Sequence, residues 1–184
     1  MDAEKLKAEV GKRLPRGRFE HVLRVADEAV RLAERFGIDR EQAKTAAMLH
    51  DVAKAMPKDE LHRLVSSEGD PQGVLDFHHE LWHAPAGALI AGQEFGIRDK
   101  AILDAIRFHT TGRKGMSGLE QVIYVADMIE PGRDFPGVGE LREAARESLK
   151  ESVLACSAHN IRYLAGKRVQ IHPDTLECFN DSLL

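Results

Sequence analysis

Apolar residues recur along this chain at intervals of three and four, in blocks separated by proline and glycine. The clearest block runs from Gly17 to Phe36, where Phe19, Val22, Leu23, Ala26, Val30 and Ala33 form one stripe, as an amphipathic helix requires. Gly37 is a natural stop for it. Ahead of it, residues 2–13 predict a short charged helix that Pro15 and Gly17 end. Behind it, Asp39 is placed to cap a helix, with Gln42 three positions on in a capping-box-like arrangement. That helix is expected to pass through Ala46, Ala47 and Leu49 to about Met56, because Pro57 cannot continue it. Pro57 instead opens the next helix, where its missing N–H is not needed.

The stretch 66–79, with Gly69, Asp70, Pro71 and Gly73, reads as loop with a short helical turn. Further helices are expected from His83 to Gly96, from Arg98 to Phe108 and, behind a Ser117/Glu120 capping box, up to Ile129. A Gly/Pro loop over 133–139 precedes one long helix from about Glu140 to Gly166. His172-Pro173-Asp174 marks a turn before a last helix, and only 168–171 carries a trace of strand alternation. The pattern predicts an all-α fold, a single helical-bundle domain over 1–184. Its core is expected at about 17–133, with a C-terminal helical part at about 138–184.

Composition narrows the function classes. Aromatics are only 5% against 43% hydrophobic and 30% charged residues, a balance that favours helix over sheet. A net charge of −4 argues against binding a nucleic-acid backbone. No apolar run approaches membrane-spanning length and the N-terminus lacks a signal-peptide core, so a cytoplasmic protein without membrane association is expected. Cys156 and Cys178 have no metal or redox spacing and read as buried, reduced thiols. A homodimer is within what the sequence allows.

The candidate chemistry centres on His50-Asp51, at the end of an apolar stretch. A carboxylate there is costly unless something pairs with it. Neighbours on a helix point about 100° apart and meet only at a common object, such as a metal ion. His21, His83, His109 and Asp127 lie in similar apolar or small-residue contexts. Histidine and carboxylate without cysteine suit Fe, Mn, Co or Zn rather than an oxygen-only Mg or Ca cage. Six such residues exceed what one tetrahedral ion needs; they suit two ions about 3.5–4 Å apart, bridged by a carboxylate. Taken singly, each histidine has an ordinary reading as a core or surface residue, and Asp127 as a surface carboxylate. Lys54, one turn beyond Asp51, and Arg133, on a Gly-containing loop after Asp127, are candidate phosphate partners.

The order of these residues resembles the HD-domain superfamily of metal-dependent phosphohydrolases, and more closely its YqeK-type branch of symmetrical diadenosine tetraphosphate hydrolases. The resemblance rests on Arg18-Phe19-Glu20-His21, Leu49-His50-Asp51-Val52-Ala53-Lys54, His83-Ala84-Pro85-Ala86-Gly87-Ala88 and His109-Thr110-Thr111-Gly112. It extends through Ala126-Asp127-Met128-Ile129-Glu130-Pro131-Gly132-Arg133 and Ile171-His172-Pro173-Asp174-Thr175-Leu176. It implies a di-iron site: His21, His50, Asp51 and Asp127 on one ion, and Asp51, His83 and His109 on the other, with manganese or another divalent metal accepted by the same donors. It implies a dinucleoside polyphosphate substrate split into two nucleoside diphosphates, with Asp51, Lys54 and Arg133 catalytic. Contacts to the nucleotide and its phosphates are expected from His21, Asp51, Lys54, His83, His109, Thr110, Asp127 and Arg133, and from Gln170, Ile171, His172 and Pro173. Phe179-Asn180 stands where the family carries Arg-Asn, which removes whatever that arginine does at the nucleotide. His62, His78, His79 and His159 have no expected role, His79 being the substitute should His83 not reach the site. Two other readings remain open at this level: a generic HD-type nucleotidase, and a nucleotide-binding regulator with little catalysis. A ferritin-type di-metal protein is disfavoured, because its Glu-x-x-His motif is missing.

Overall fold

Each apolar stripe becomes a buried helix face in the computed structural model, which describes residues 3–184. The described residues form α1 (Ala3–Arg13), α2 (Arg16–Phe36), α3 (Arg40–Leu49), α4 (Lys58–Ser67) and α5 (His83–Gln93), then α6 (Lys100–Arg107), α7 (Gly118–Ile129), α8 (Val138–Glu147), α9 (Leu149–Gly166) and α10 (Pro173–Ser182). The fold is all-α, and two short 3-10 turns bridge α4 and α5. The expected start of α1 at residue 2 lies outside the described residues. No helix among them is long and apolar enough to cross a membrane.

Helix α7 is the hub. Its buried residues, including Leu119, Val122, Ile123, Val125, Ala126 and Ile129, lie nearly all round its circumference, as a helix enclosed by others requires. It packs against α2, α3, α6, α8 and α9. Helix α2 turns Val22, Val25, Ala29, Leu32 and Ala33 inward, and α3 meets it with Ala43, Ala46 and Ala47. Small residues on this face let the two backbones approach closely. Asp39 caps α3 by accepting from Gln42 N, and the Ser117/Glu120 capping box is complete.

Four expectations need correction. Helix α3 ends at Leu49, not Met56. Residues 50–56 wind as tighter turns, with Val52, Lys54 and Met56 N–H groups donating to the carbonyls of Leu49, Asp51 and Ala53 at 3.1, 2.9 and 3.0 Å. Helix α5 stops at Gln93, short of Gly96. The long helix over 140–166 is two, because Ser148 is extended (φ −151°, ψ 159°) and its hydroxyl accepts from Glu151 N to start α9 afresh. Residues 168–171 contain no strand.

Candidate metal centre

Five pieces of chain deliver the candidate residues to one place. His21 lies in α2, His50 and Asp51 follow α3, His83 is the first residue of α5, His109 follows α6, and Asp127 lies in α7. The four histidines and Asp51 are 6% exposed or less. His79 stays outside, 3.6 Å from Glu80, so His83 rather than His79 reaches the cluster.

Each imidazole is held by its Nδ1 and offers its Nε2. His50, His83 and His109 Nδ1 lie 2.6, 2.7 and 2.7 Å from the backbone carbonyl oxygens of Ala47, Glu80 and Ile106. His21 Nδ1 lies 3.0 Å from Glu130 Oε1. An acceptor at Nδ1 places the proton there and leaves the Nε2 lone pair facing inward. The Nε2 atoms of His21 and His50 are buried without a hydrogen-bond partner. Those of His83 and His109 face each other at 3.1 Å. Two neutral imidazoles in this tautomer repel at that distance unless a cation lies between them.

Asp51 divides the cluster. Its Oδ1 is 3.1 Å from His83 Nε2 and 3.8 Å from His109 Nε2. Its Oδ2 is 3.5 Å from His50 Nε2 and 3.7 Å from His21 Nε2. Asp127 Oδ1 completes the second half, 3.0 Å from His21 Nε2 and 3.9 Å from His50 Nε2. Lone pairs converging from four imidazoles and two carboxylates suit borderline divalent ions such as iron or manganese. The residues present therefore fit divalent metal, with one Asp51 oxygen turned to each set of imidazoles.

With no cation between them, the imidazoles and carboxylates shift one another: burial lowers His50, but Asp51 and Asp127 raise it above its ordinary value. Burial alone would raise the Asp51 carboxyl, but His50 and His83 hold it well below the usual carboxylate range. Burial is likewise overcome at Asp127 by His21, His50 and Arg133, so this carboxyl is also depressed. Burial, with His83 and His50 nearby, pushes His109 down to about 3 and keeps it neutral.

Cations border both halves. Lys54 Nζ lies 3.4 Å from His83 Nδ1 and donates to Glu80 Oε2 at 2.7 Å. Arg133 donates through Nη2 to Asp127 Oδ1 at 2.5 Å and through Nε to the Asp127 carbonyl at 2.7 Å. Its loop is fixed, since Arg142 donates to the carbonyls of Ile129, Glu130 and Arg133. Two further groups escaped the sequence reading. Arg18 Nη1 donates to Asp51 Oδ2 at 2.9 Å. Glu130, 1% exposed, accepts from Arg24 Nε and Gly132 N as well as from His21.

A cavity of about 570 Å³ opens beside this cluster, bordered by Glu80, Thr110, Asn160, Tyr163, Gln170 and His172. Ile171 and Pro173 do not line it. His172 is buried, its Nδ1 accepting from Asp174 N at the start of α10 and its Nε2 donating to the Gln72 carbonyl. Its ring therefore shapes the wall with both nitrogens already engaged. His62 packs edge-on against Trp82, and His78 caps a 3-10 turn.

The family model described as HD domain matches residues 18–132. A Bacillus subtilis (strain 168) protein named "Bis(5'-nucleosyl)-tetraphosphatase, symmetrical" is 44% identical over 180 residues, covering 98% of this chain and 97% of its own. A protein of the same name from Halalkalibacterium halodurans is 42% identical, covering 91% of this chain and 89% of its own. A crystal structure described as a predicted HD superfamily hydrolase involved in NAD metabolism, from Clostridium acetobutylicum, superposes with a TM-score of 0.94 at 38% identity. That match covers 100% of this chain and 97% of the other. The chain belongs to the HD-domain family and groups within it with proteins named symmetrical bis(5'-nucleosyl)-tetraphosphatase.

Proposed function

We propose that this chain hydrolyses diadenosine tetraphosphate and related dinucleoside tetraphosphates at the centre of the phosphate bridge, giving two nucleoside diphosphates. The observation that carries the reading is the division of Asp51 between two sets of imidazole Nε2 atoms, joined to the names of the full-length relatives. An HD domain implies dependence on divalent metal; here we favour iron, with manganese as the alternative. His21, His50, Asp51 and Asp127 would hold one ion, and Asp51, His83 and His109 the other. Bound there, such ions supply Lewis-acid polarisation of phosphoryl oxygens and a water acidic enough to attack near neutral pH.

The chain's own groups do the rest. The Nδ1 anchors fix each imidazole before substrate arrives, so little reorganisation is left for the reaction. Lys54 and Arg133 neutralise the phosphate charge that develops on the leaving group, Arg133 with its planar fork and Lys54 as a compact charge. Arg18 adds a third cation on the Asp51 Oδ2 side. Thr110, next to His109, offers a hydroxyl at the mouth of the cavity, where one nucleoside would sit against Gln170 and His172. A reducing cytoplasm suits the chain, because Cys156 and Cys178 are buried and free and burial pushes the Cys178 thiol up to about 12.

Incubation of metal-loaded protein with diadenosine tetraphosphate, followed by separation of the nucleotides, tests the reading. ADP as the only nucleotide product is expected. ATP with AMP would overturn central cleavage, and no turnover would overturn the substrate.

A further inference from the structure

Resting on the substrate read above, a dinucleoside tetraphosphate carries two nucleosides, and the cavity beside Thr110 seats one of them. The other needs a recess of its own within reach of the cluster. Asp127 of the cluster is held by Arg133. Two residues beyond Arg133, the chain borders a second, open groove of about 540 Å³, close in size to the first cavity at about 570 Å³. Phe135, Gly137 and Glu140 form one wall, and His159, Arg162 and Tyr163 of α9 form the other.

We propose that this groove is the seat of the second nucleoside, with its base against the Phe135, His159 and Tyr163 rings. Phe135 and His159 already pack as a pair, with centroids 4.8 Å apart and planes inclined by 43°. Burial and the nearby Arg162 push His159 below its ordinary value, so the ring presents a neutral face, with Glu140 opposing that shift. Gly137 (φ 94°) brings the loop close, since a Cβ there would lie 3.5 Å from His159 Nδ1.

The two seats share a divider. Asn160 and Leu164 of α9 face the first cavity, His159 and Arg162 border the groove, and Tyr163 borders both. Tyr163 is 57% exposed, with Lys167 Nζ 5.9 Å from its ring centroid. Two features fix the groove relative to the cluster. Arg142 pins the turn that carries Arg133, and Asn160 Nδ2 donates to Tyr124 Oη on α7 at 3.1 Å. Glu140 at the rim can accept from an exocyclic amino group of the base, and Arg162 adds positive charge to the same groove.

The experiment compares metal-loaded wild type with Phe135→Ala, His159→Ala and Arg162→Ala. For each, it measures KM and kcat for diadenosine tetraphosphate and the inhibition constant of ADP. Losing one base–aromatic stack is expected to raise KM by about tenfold in Phe135→Ala and His159→Ala, with kcat retained. Arg162→Ala is expected to raise KM by a few fold. ADP is held in the first cavity, so its inhibition constant is expected to stay within about twofold of wild type. His159 is only half-buried and Arg162 is exposed, which keeps the test valid even if Phe135→Ala unfolds. An unchanged KM in His159→Ala and Arg162→Ala would overturn the second seat. So would an ADP inhibition constant that weakens in step with KM, because the groove would then belong to the first nucleoside. Failure of the wild type itself to cleave diadenosine tetraphosphate is a different result; it removes the functional reading and the second seat with it.

Discussion

Replacing Glu130 by glutamine tests how the cluster is held together, because the change preserves shape and alters only which atoms can accept. The Glu130 carboxylate is an acceptor on both sides. Oε2 receives Arg24 Nε at 2.6 Å and Gly132 N at 2.5 Å, while Oε1 receives His21 Nδ1 at 3.0 Å and Arg24 Nη2 at 3.3 Å. A glutamine has one acceptor and one donor. Its oxygen will take the Oε2 side, where two short donors compete for it, and its NH₂ will then face His21 Nδ1. That contact forces the His21 proton from Nδ1 to Nε2, the atom 3.0 Å from Asp127 Oδ1. His21 thereby loses the lone pair it would offer a metal. Loss of such an anchoring partner weakens metal affinity or activity by about 10–100-fold. Exchanging charged for neutral hydrogen bonds is expected to cost the metal-free protein about 1–3 kcal/mol.

Metal content after dialysis against graded chelator, turnover, and thermal melting of the metal-free form separate the two effects. Metal retention within twofold of wild type at every chelator concentration would refute the anchoring role. Acid titration gives an independent check. Burial alone would raise the Glu130 carboxyl, but hydrogen bonds from Arg24, His21 and Gly132 N hold it down at about 2. A depressed carboxyl contributes stability that is complete above its unfolded value of about 4.3. That contribution fades as pH falls through the folded value. Between about pH 4.5 and pH 2, wild type should therefore lose stability more steeply than Glu130→Gln.

Two more perturbations follow from the geometry. Asp51→Ala removes the carboxylate that approaches both halves, 3.1 Å from His83 Nε2 and 3.5 Å from His50 Nε2, so turnover and metal retention should be lost together; two ions per chain by elemental analysis would refute the bridging assignment. Lys54→Ala should keep its metal and lose on the order of 10²-fold in kcat, and a parallel loss of metal would show that Lys54 is structural. Gly112→Ala places a Cβ 2.6 Å from Cys178 Sγ at a φ of 64°. It should destabilise the protein by about 2–4 kcal/mol, and a melting temperature within about 1 °C of wild type would refute the clash.

The residues of the cluster are legible from their order along the chain and the family resemblance that order carries; singly, each imidazole in its apolar stretch has an ordinary reading as a core or surface residue. The contacts that orient them were harder to read. Glu130 lies within a run that carried the family resemblance, so its role as the anchor of His21 was hidden inside a motif. Arg18 and Arg24 flank His21 at three residues on either side, a helical spacing that shares a face and could have drawn attention to them. The end of α3 is hidden in the sequence because seven residues are too few to distinguish a period of 3 from 3.6. Leu49, Val52 and Ala53 are buried in either winding. The break at Ser148 did leave a signal, a serine followed three residues later by Glu151, and the continuous apolar pattern on both sides masked it.

Neighbouring residues share one target here although His50 keeps helical backbone angles (φ −55°, ψ −38°). The His50 Nε2 and the Asp51 carboxylate come within 3.5 Å of each other at the centre of the cluster, and Asp51 turns one oxygen to each half. Each half then has its own cations, Lys54 beside His83, and Arg18 and Arg133 on Asp51 Oδ2 and Asp127. The Thr110 cavity begins one residue from His109 and the Phe135 groove two residues from Arg133. A substrate with identical ends, held at both, brings the middle of its bridge to Asp51. On this reading the point of cleavage is set by the spacing of the two seats along the phosphate chain, and the central anhydride needs no recognition of its own.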